Sequence, residues 1–149
     1  MTVTDHSFPT DTQQVAFAQA MADGDGPIVM LNLNRYRDVA VYGDERDAEG
    51  ASGRDVYLRY GIVAQQGLER VGAKILWATD TYTPLIGCEH DAFDEVLAVW
   101  YPSRAAFLDL TSAPDYVAAL EHRQAALDWA ALVPCHSGAE AALTNPFDV

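Results

Sequence analysis

The sequence predicts an α+β fold in the order β-α-β-β-α-β, with one extra helix in front. Three observations predict it. Glu95 to Tyr101 (EVLAVWY) alternates as a strand does. After Ser112 the apolar residues recur at helical spacing, and Leu132-Val-Pro-Cys135 then reads as a second strand. Together they make a strand–helix–strand unit, which needs an equivalent unit before it to complete a sheet.

The totals limit what such a domain can be. The chain has 149 residues, one domain by length and large enough for a real core. Formal charge is −13, from 22 acidic against 9 basic residues, so nucleic acid and anionic membrane surfaces are poor partners. No apolar run reaches the length of a spanning helix. Met1-Thr-Val-Thr-Asp-His lacks a basic start and an apolar core, so the cytoplasm is the expected compartment. Cys88 and Cys135 stand far apart with no histidine at ligand spacing, which points to free thiols and no metal site.

In chain order, Thr10-Asp-Thr-Gln13 is a capping box opening a helix to about Met21, stopped at Asp23-Gly24. Pro27 to Tyr36 is the first strand. Val29, Leu31 and Leu33 share one face; Met30, Asn32, Asn34 and Tyr36 share the other. The amide face is either half-solvated or the lining of a polar cavity, since a buried amide must find partners. Residues 37–53 form a long acidic loop, read as a flap, a dimer contact or a plain surface insertion.

Ser52 caps a helix from Arg54 to about Val71, closed by Gly72. Its stripe holds Tyr57, Gly61, Ala64, Leu68 and Val71, with Tyr60 beside it. The two tyrosines fit a core rim or a cleft wall. Ala73 to Thr79 is the second strand, expected to continue with a bend to Gly87, with Pro84 at an edge position. Cys88 to Ala92 is a turn. Ser103 caps a short helix carrying Ala106, Phe107 and Leu110. Ser112-Ala-Pro-Asp115 is read as the cap of a longer one. There Tyr116, Ala119, Leu120, Arg123 and Leu127 share a stripe. Arg123 occupies an apolar position; it either reaches solvent or a carboxylate, or it holds an anionic ligand.

These elements give a ferredoxin-like arrangement: a four-stranded antiparallel sheet, both main helices on one face, strand order 4-1-3-2. Cys88 and Cys135 then fall at opposite edges. The other sheet face needs cover, and two sheets meeting across a two-fold axis supply it, so a homodimer is expected. The domain proper spans 27–136, with the acidic insertion 37–53, an N-terminal helix and arm at 1–26 and a C-terminal arm at 137–149.

Trp100-Tyr-Pro-Ser103-Arg-Ala-Ala-Phe107, then Ser112-Ala-Pro-Asp-Tyr116 and Arg123, resembles the DUF1330 family. Tyr57 and Tyr60 match its first-helix aromatic pair, and Asn32 stands where members often carry an acidic residue. The resemblance runs from about Pro27 to Cys135, without the insertion. It implies the dimeric α+β barrel superfamily, whose members include cofactor-independent monooxygenases, isomerases and dehydratases, haem proteins and stress-response barrels.

Two functions are therefore expected. In the first, a small-molecule enzyme works in the cleft between sheet and helices. Arg123 binds a carboxylate or enolate oxygen, Asn32 and Asn34 stabilise negative charge, and Tyr57, Tyr60 or Tyr116 moves a proton. Trp77, Trp100 and Phe107 wall an aromatic substrate, and Ser103 joins the ligand-binding set. No GxGxxG and no GxxxxGK[ST] occurs, so no cofactor is expected. In the second, the same dimer binds a small ligand without turnover, and no group titrates near neutrality.

Overall fold

The computed structural model describes residues 7–135; the C-terminal arm and the first residues of the N-terminal arm lie outside them. One antiparallel sheet runs β2-β3-β1-β4, from β1 (Ile28–Tyr36), β2 (Lys74–Asp80), β3 (Glu95–Tyr101) and β4 (Leu127–Cys135). This is the expected order. Helices α2 (Gly53–Val71), α3 (Arg104–Ser112) and α4 (Pro114–Ala126) cover one face, and α1 (Asp11–Asp23) leans on α3.

Alternation in β1 decides which face is which. Ile28, Met30 and Asn34 are buried under the helices, whereas Val29, Leu31 and Leu33 are half-buried on the outer face. The ladder carries this across the sheet: Val29 pairs with Trp100, Leu31 with Ala98 and Val133, Leu33 with Val96 and Ala131. On the inner side Ile28, Met30, Val99 and Tyr101 join Tyr60, Leu68, Leu110, Tyr116 and Ala119 in one core.

Local chemistry sets the helix ends. Thr10 and Gln13 exchange backbone and side-chain bonds of 2.9 and 3.2 Å in the expected capping box. Ser52 accepts from the Asp55 amide at 3.1 Å and Ser103 from that of Ala106 at 3.0 Å. Gly53 is required at the start of α2, because a Cβ there would collide with the Arg37 carbonyl and sit 2.7 Å from that of Ala126.

Three element boundaries are corrected. Ser112 does not cap α4; it ends α3 and bonds back to the Asp109 carbonyl, and Ala113 precedes Pro114 with no side-chain cap. Proline at the first turn has no amide to satisfy, so the helix starts without one. Strand β4 begins at Leu127, not Leu132, and takes Leu127 from the α4 stripe. There β1 offers a ladder pairing Tyr36 with Leu127 and Arg35 with Trp129, which overrides the helical character of the segment. Strand β2 stops at Asp80, because β3 begins only at Glu95 and offers no partner further on. Residues 81–88 leave the sheet, and Tyr82, Leu85 and Ile86 are 94, 98 and 92% exposed.

The acidic loop, expected as a flap, a dimer contact or a plain surface insertion, is tied down over the start of α2 and the end of α4. The Arg37 amide donates to the Ala126 carbonyl at 2.8 Å and that of Val41 to Ala125 at 2.9 Å, while Ala40 is buried against Val56. Arg46 bridges Asp44 at 2.7 Å and Glu121 of α4 at 3.2 Å. Tyr42 meets Nδ1 of His122 at 2.7 Å. Cys88 and Cys135 are free thiols; Cys135 ends the edge strand β4, whereas Cys88, expected on the opposite edge strand, precedes the turn Glu89–Asp91 outside the sheet. Among the described residues, no helix is long and apolar enough to cross a membrane.

Candidate functional site

A row of tyrosines fills the space between sheet and helices. It starts on β1, where Tyr36 follows Asn32 and Asn34 on the inner face. The ring of Tyr36 lies 5.2 Å from that of Tyr57, Tyr57 lies 5.2 Å from Tyr60, and Tyr60 lies 5.5 Å from Tyr116 on α4. Residues 57 and 60 stand one turn apart on α2, so both rings reach the same row. Tilted and edge-to-face contacts of this kind are favourable.

Hydrogen bonds fix the hydroxyls. Asn34, only 2% exposed, donates its amide to the Tyr57 oxygen at 3.2 Å. Tyr60 and Tyr116 share a hydrogen bond of 2.7 Å between their oxygens. Tyr36 donates to Glu95 at 2.8 Å. A buried amide or phenol left without a partner is costly, so these bonds hold the row in one arrangement.

Electrostatics keep the row protonated. Burial pushes the Tyr57 hydroxyl up to about 12, with the Arg123 charge and the Asn34 bond working against the rise. Burial also raises Tyr60 well above its ordinary value, aided by its tyrosine neighbours. Tyr116 rises through burial, opposed by its Tyr60 bond and by Arg123. Tyr36 rises through burial and its bond to Glu95. These phenols stay protonated at neutral pH; Tyr36 donates to Glu95 and Tyr57 accepts from Asn34.

Arg123 is half-buried at the α4 end of the row. Its guanidinium donates to the Ser7 carbonyl and lies 6.0 Å from the Phe8 ring. Among the described residues it forms no carboxylate ion pair. The structure thus brings together Asn34, Tyr57, Tyr60, Tyr116 and Arg123.

Other residues of the expected set go elsewhere. The Asn32 amide donates to the carbonyls of Met30 and Leu97 at 3.2 and 3.4 Å, so it is spent on the sheet itself. Trp77 pairs with Ala98 and Trp100 with Val29 and Lys74, all on the outer face. They are not walls of the cleft, and Trp77 is 48% exposed. Phe107 packs between Phe17 and Tyr101 at 5.4 and 5.3 Å and belongs to the core. Ser103 serves the α3 amide already described. Tyr36 and Glu95 were absent from the expected set, although alternation places Tyr36 on the same face as both asparagines.

Two recesses open at the end of the sheet where β1 and β2 finish. One of about 430 Å³ is lined by Tyr36, Arg37, Asp38, Arg54, Asp80 and Asp94, among others. The other, about 380 Å³, includes Arg35, Tyr82, Phe93 and Asp94.

A crystal structure of methylated RPA0582 protein superposes with a TM-score of 0.79 at 35% identity, over 97% of this chain and 99% of that one. Another, of the RPA0582 protein of unknown function from Rhodopseudomonas palustris, gives 0.76 at 36%, over 90% and 98%. The chain belongs to the RPA0582 family. A dimeric protein of unknown function with a ferredoxin-like fold, from Bacteroides fragilis, superposes with a TM-score of 0.46 at 12% identity, over 74% of this chain and 95% of that one. No family model matches the chain, and no curated protein does. The RPA0582 family therefore brings a fold to this chain without bringing a reaction.

Proposed function

We propose that this RPA0582-family protein is a homodimeric, cytoplasmic small-ligand-binding protein of DUF1330 type. Its ligand is a small aromatic anion that meets Arg123 at the α4 end of the tyrosine row. One observation carries it: Arg123, a guanidinium without a carboxylate partner among the described residues, stands at the end of a row of phenols held protonated. A carboxylate arriving there gains a bidentate partner in place of the Ser7 carbonyl, and tyrosine edges are suited to an aromatic ring. The apolar outer face, with Leu31, Leu33, Val96 and Trp100, supports pairing of two sheets.

Binding is favoured over turnover because every phenol in the row is pushed away from neutrality, which removes the obvious general base. Cofactor-independent enzymology of the isomerase, dehydratase or monooxygenase kind is the second reading. It is favoured by Arg123 opposing the effect of burial on Tyr57, Tyr60 and Tyr116, since a cation beside phenol donors suits a developing enolate.

Calorimetric titration with benzoate, salicylate and phenylacetate tests both. Saturable binding that Arg123→Gln weakens about tenfold or more, with unchanged circular dichroism, supports the site. Equal affinity in wild type and variant removes Arg123 from it. Conversion of a bound compound, followed by absorbance and oxygen uptake, moves the assignment to the enzyme.

A further inference from the structure

The recess lined by Tyr36, Arg37, Asp38, Arg54, Asp80 and Asp94 belongs to none of the chemistry above, although it touches the tyrosine row through Tyr36. Its charges are unevenly matched. Arg54 lies 3.6 Å from Asp80 and 3.4 Å from Glu95, so its charge is shared between two carboxylates. One oxygen of Asp94 accepts the Tyr36 amide at 2.8 Å. Arg37 differs. Its Nε is closed off from solvent and has no hydrogen-bond partner, and its guanidinium makes no ion pair among the described residues. The next residue, Asp38, faces the same recess with its carboxylate also unpaired among the described residues.

A cation and an anion that share one recess without pairing with each other are complementary to a ligand carrying both charges. The lining opposes other classes. Three aspartates against two arginines disfavour a phosphate or another dianion, and Arg37 disfavours a simple amine. The planar fork of Arg37 suits a carboxylate. About 430 Å³ is ample for a compact molecule.

We propose that this recess binds a free α-amino acid or a similarly small zwitterion, its carboxylate on Arg37 and its ammonium on Asp38 and Asp94. The site is separate from Arg123 and does not depend on its assignment.

The test follows the arginine Nε–H signals of the full-length, 15N-labelled protein by NMR during titration with glycine, L-serine or L-glutamine. Propionate, ethylamine and inorganic phosphate serve as probes lacking one charge or carrying the wrong one. An amino acid is expected to shift the Arg37 signal saturably. Arg37→Gln is expected to weaken binding about tenfold or more. Asp38→Asn, at an exposed position where folding is not at risk, is expected to narrow the preference for amino acids over propionate. Arg123→Gln should bind the amino acid as wild type does, which separates this site from that of Arg123. No saturable shift with any amino acid overturns the proposal, as does tighter binding of phosphate or propionate by the wild type, or an Asp38→Asn variant with unchanged preference.

Discussion

The hydroxyl oxygens of Tyr60 and Tyr116 lie 2.7 Å apart and join α2 to α4 in the middle of the core. Each phenol is buried and is the other's hydrogen-bond partner. Tyr116→Phe would strand the Tyr60 hydroxyl, at a cost of about 1–3 kcal/mol. The double variant Tyr60→Phe/Tyr116→Phe removes both polar groups and should recover part of that loss. Urea denaturation of the two singles and the double measures the coupling; additive losses would show that the pair is not shared.

Tyr57 gives the alkaline limit. Its ordinary value is 10.0, and burial raises it in the folded protein to about 12. The folded state therefore binds the proton more tightly than the unfolded state does. The stabilisation is complete below pH 10 and is lost as pH rises toward 12. Tyrosinate absorbance should report the buried phenols titrating only with unfolding. Tyr57→Phe should weaken the fall in stability across that window.

Much of this arrangement is legible in the sequence, and the reasons differ by element. Strand β3 is readable to the residue, because alternation from Glu95 to Tyr101 is cut by Pro102. The inner set of β1 is equally plain, since Asn34 and Tyr36 must lie on the face of Met30. Which face meets the helices is not written in the alternation. Both Trp77 and Trp100 therefore read as cleft walls until the register puts them outside. The start of β4 is hidden because Leu127-Asp-Trp-Ala-Ala could continue a helix, and only β1 decides otherwise. Arg37 gives no signal at all. An arginine beside an aspartate at the mouth of an acidic loop looks like solvated surface, and its buried Nε is a product of tertiary packing.

Asp25 makes a cap that no local pattern announces. Its carboxylate accepts the amides of Arg104 and Ala105 at 2.7 and 3.1 Å, so a residue before β1 caps the start of α3. These amide bonds, that of Arg104 first, hold its carboxyl below the ordinary carboxylate value. The stabilisation is present above that ordinary value and is lost as pH falls through the depressed one. Asp25→Asn should lower the melting temperature at neutral pH and bring the variant closer to wild type in acid. Melting curves from neutral to strongly acid pH check both.

Gly53 is the tightest point of the frame around the site. A methyl group there meets the backbone carbonyls of Arg37 and Ala126, neither of which can swing away as a side chain would. Gly53→Ala is expected to destabilise by about 1–3 kcal/mol through overpacking. It should also loosen the 37–53 loop, detectable as faster hydrogen exchange at the Val41 amide, which donates to Ala125. Wild-type stability with unchanged exchange would mean that the α2 start shifts freely.

Leu31 tests the homodimer. It pairs with Ala98 on one side and Val133 on the other, near the middle of the outer sheet face. If two sheets meet there, a charge at this position is buried against its own copy, and like charges facing each other in an apolar interface are strongly unfavourable. Leu31→Arg should convert the dimer to a folded monomer, read as half the mass by light scattering with an unchanged far-ultraviolet spectrum. The inner core, which lies on the opposite side of the strand, should keep its packing. A wild-type protein that is already monomeric, or a variant that stays dimeric, would place the partner surface elsewhere, with the exposed Tyr82, Leu85 and Ile86 segment the next to test.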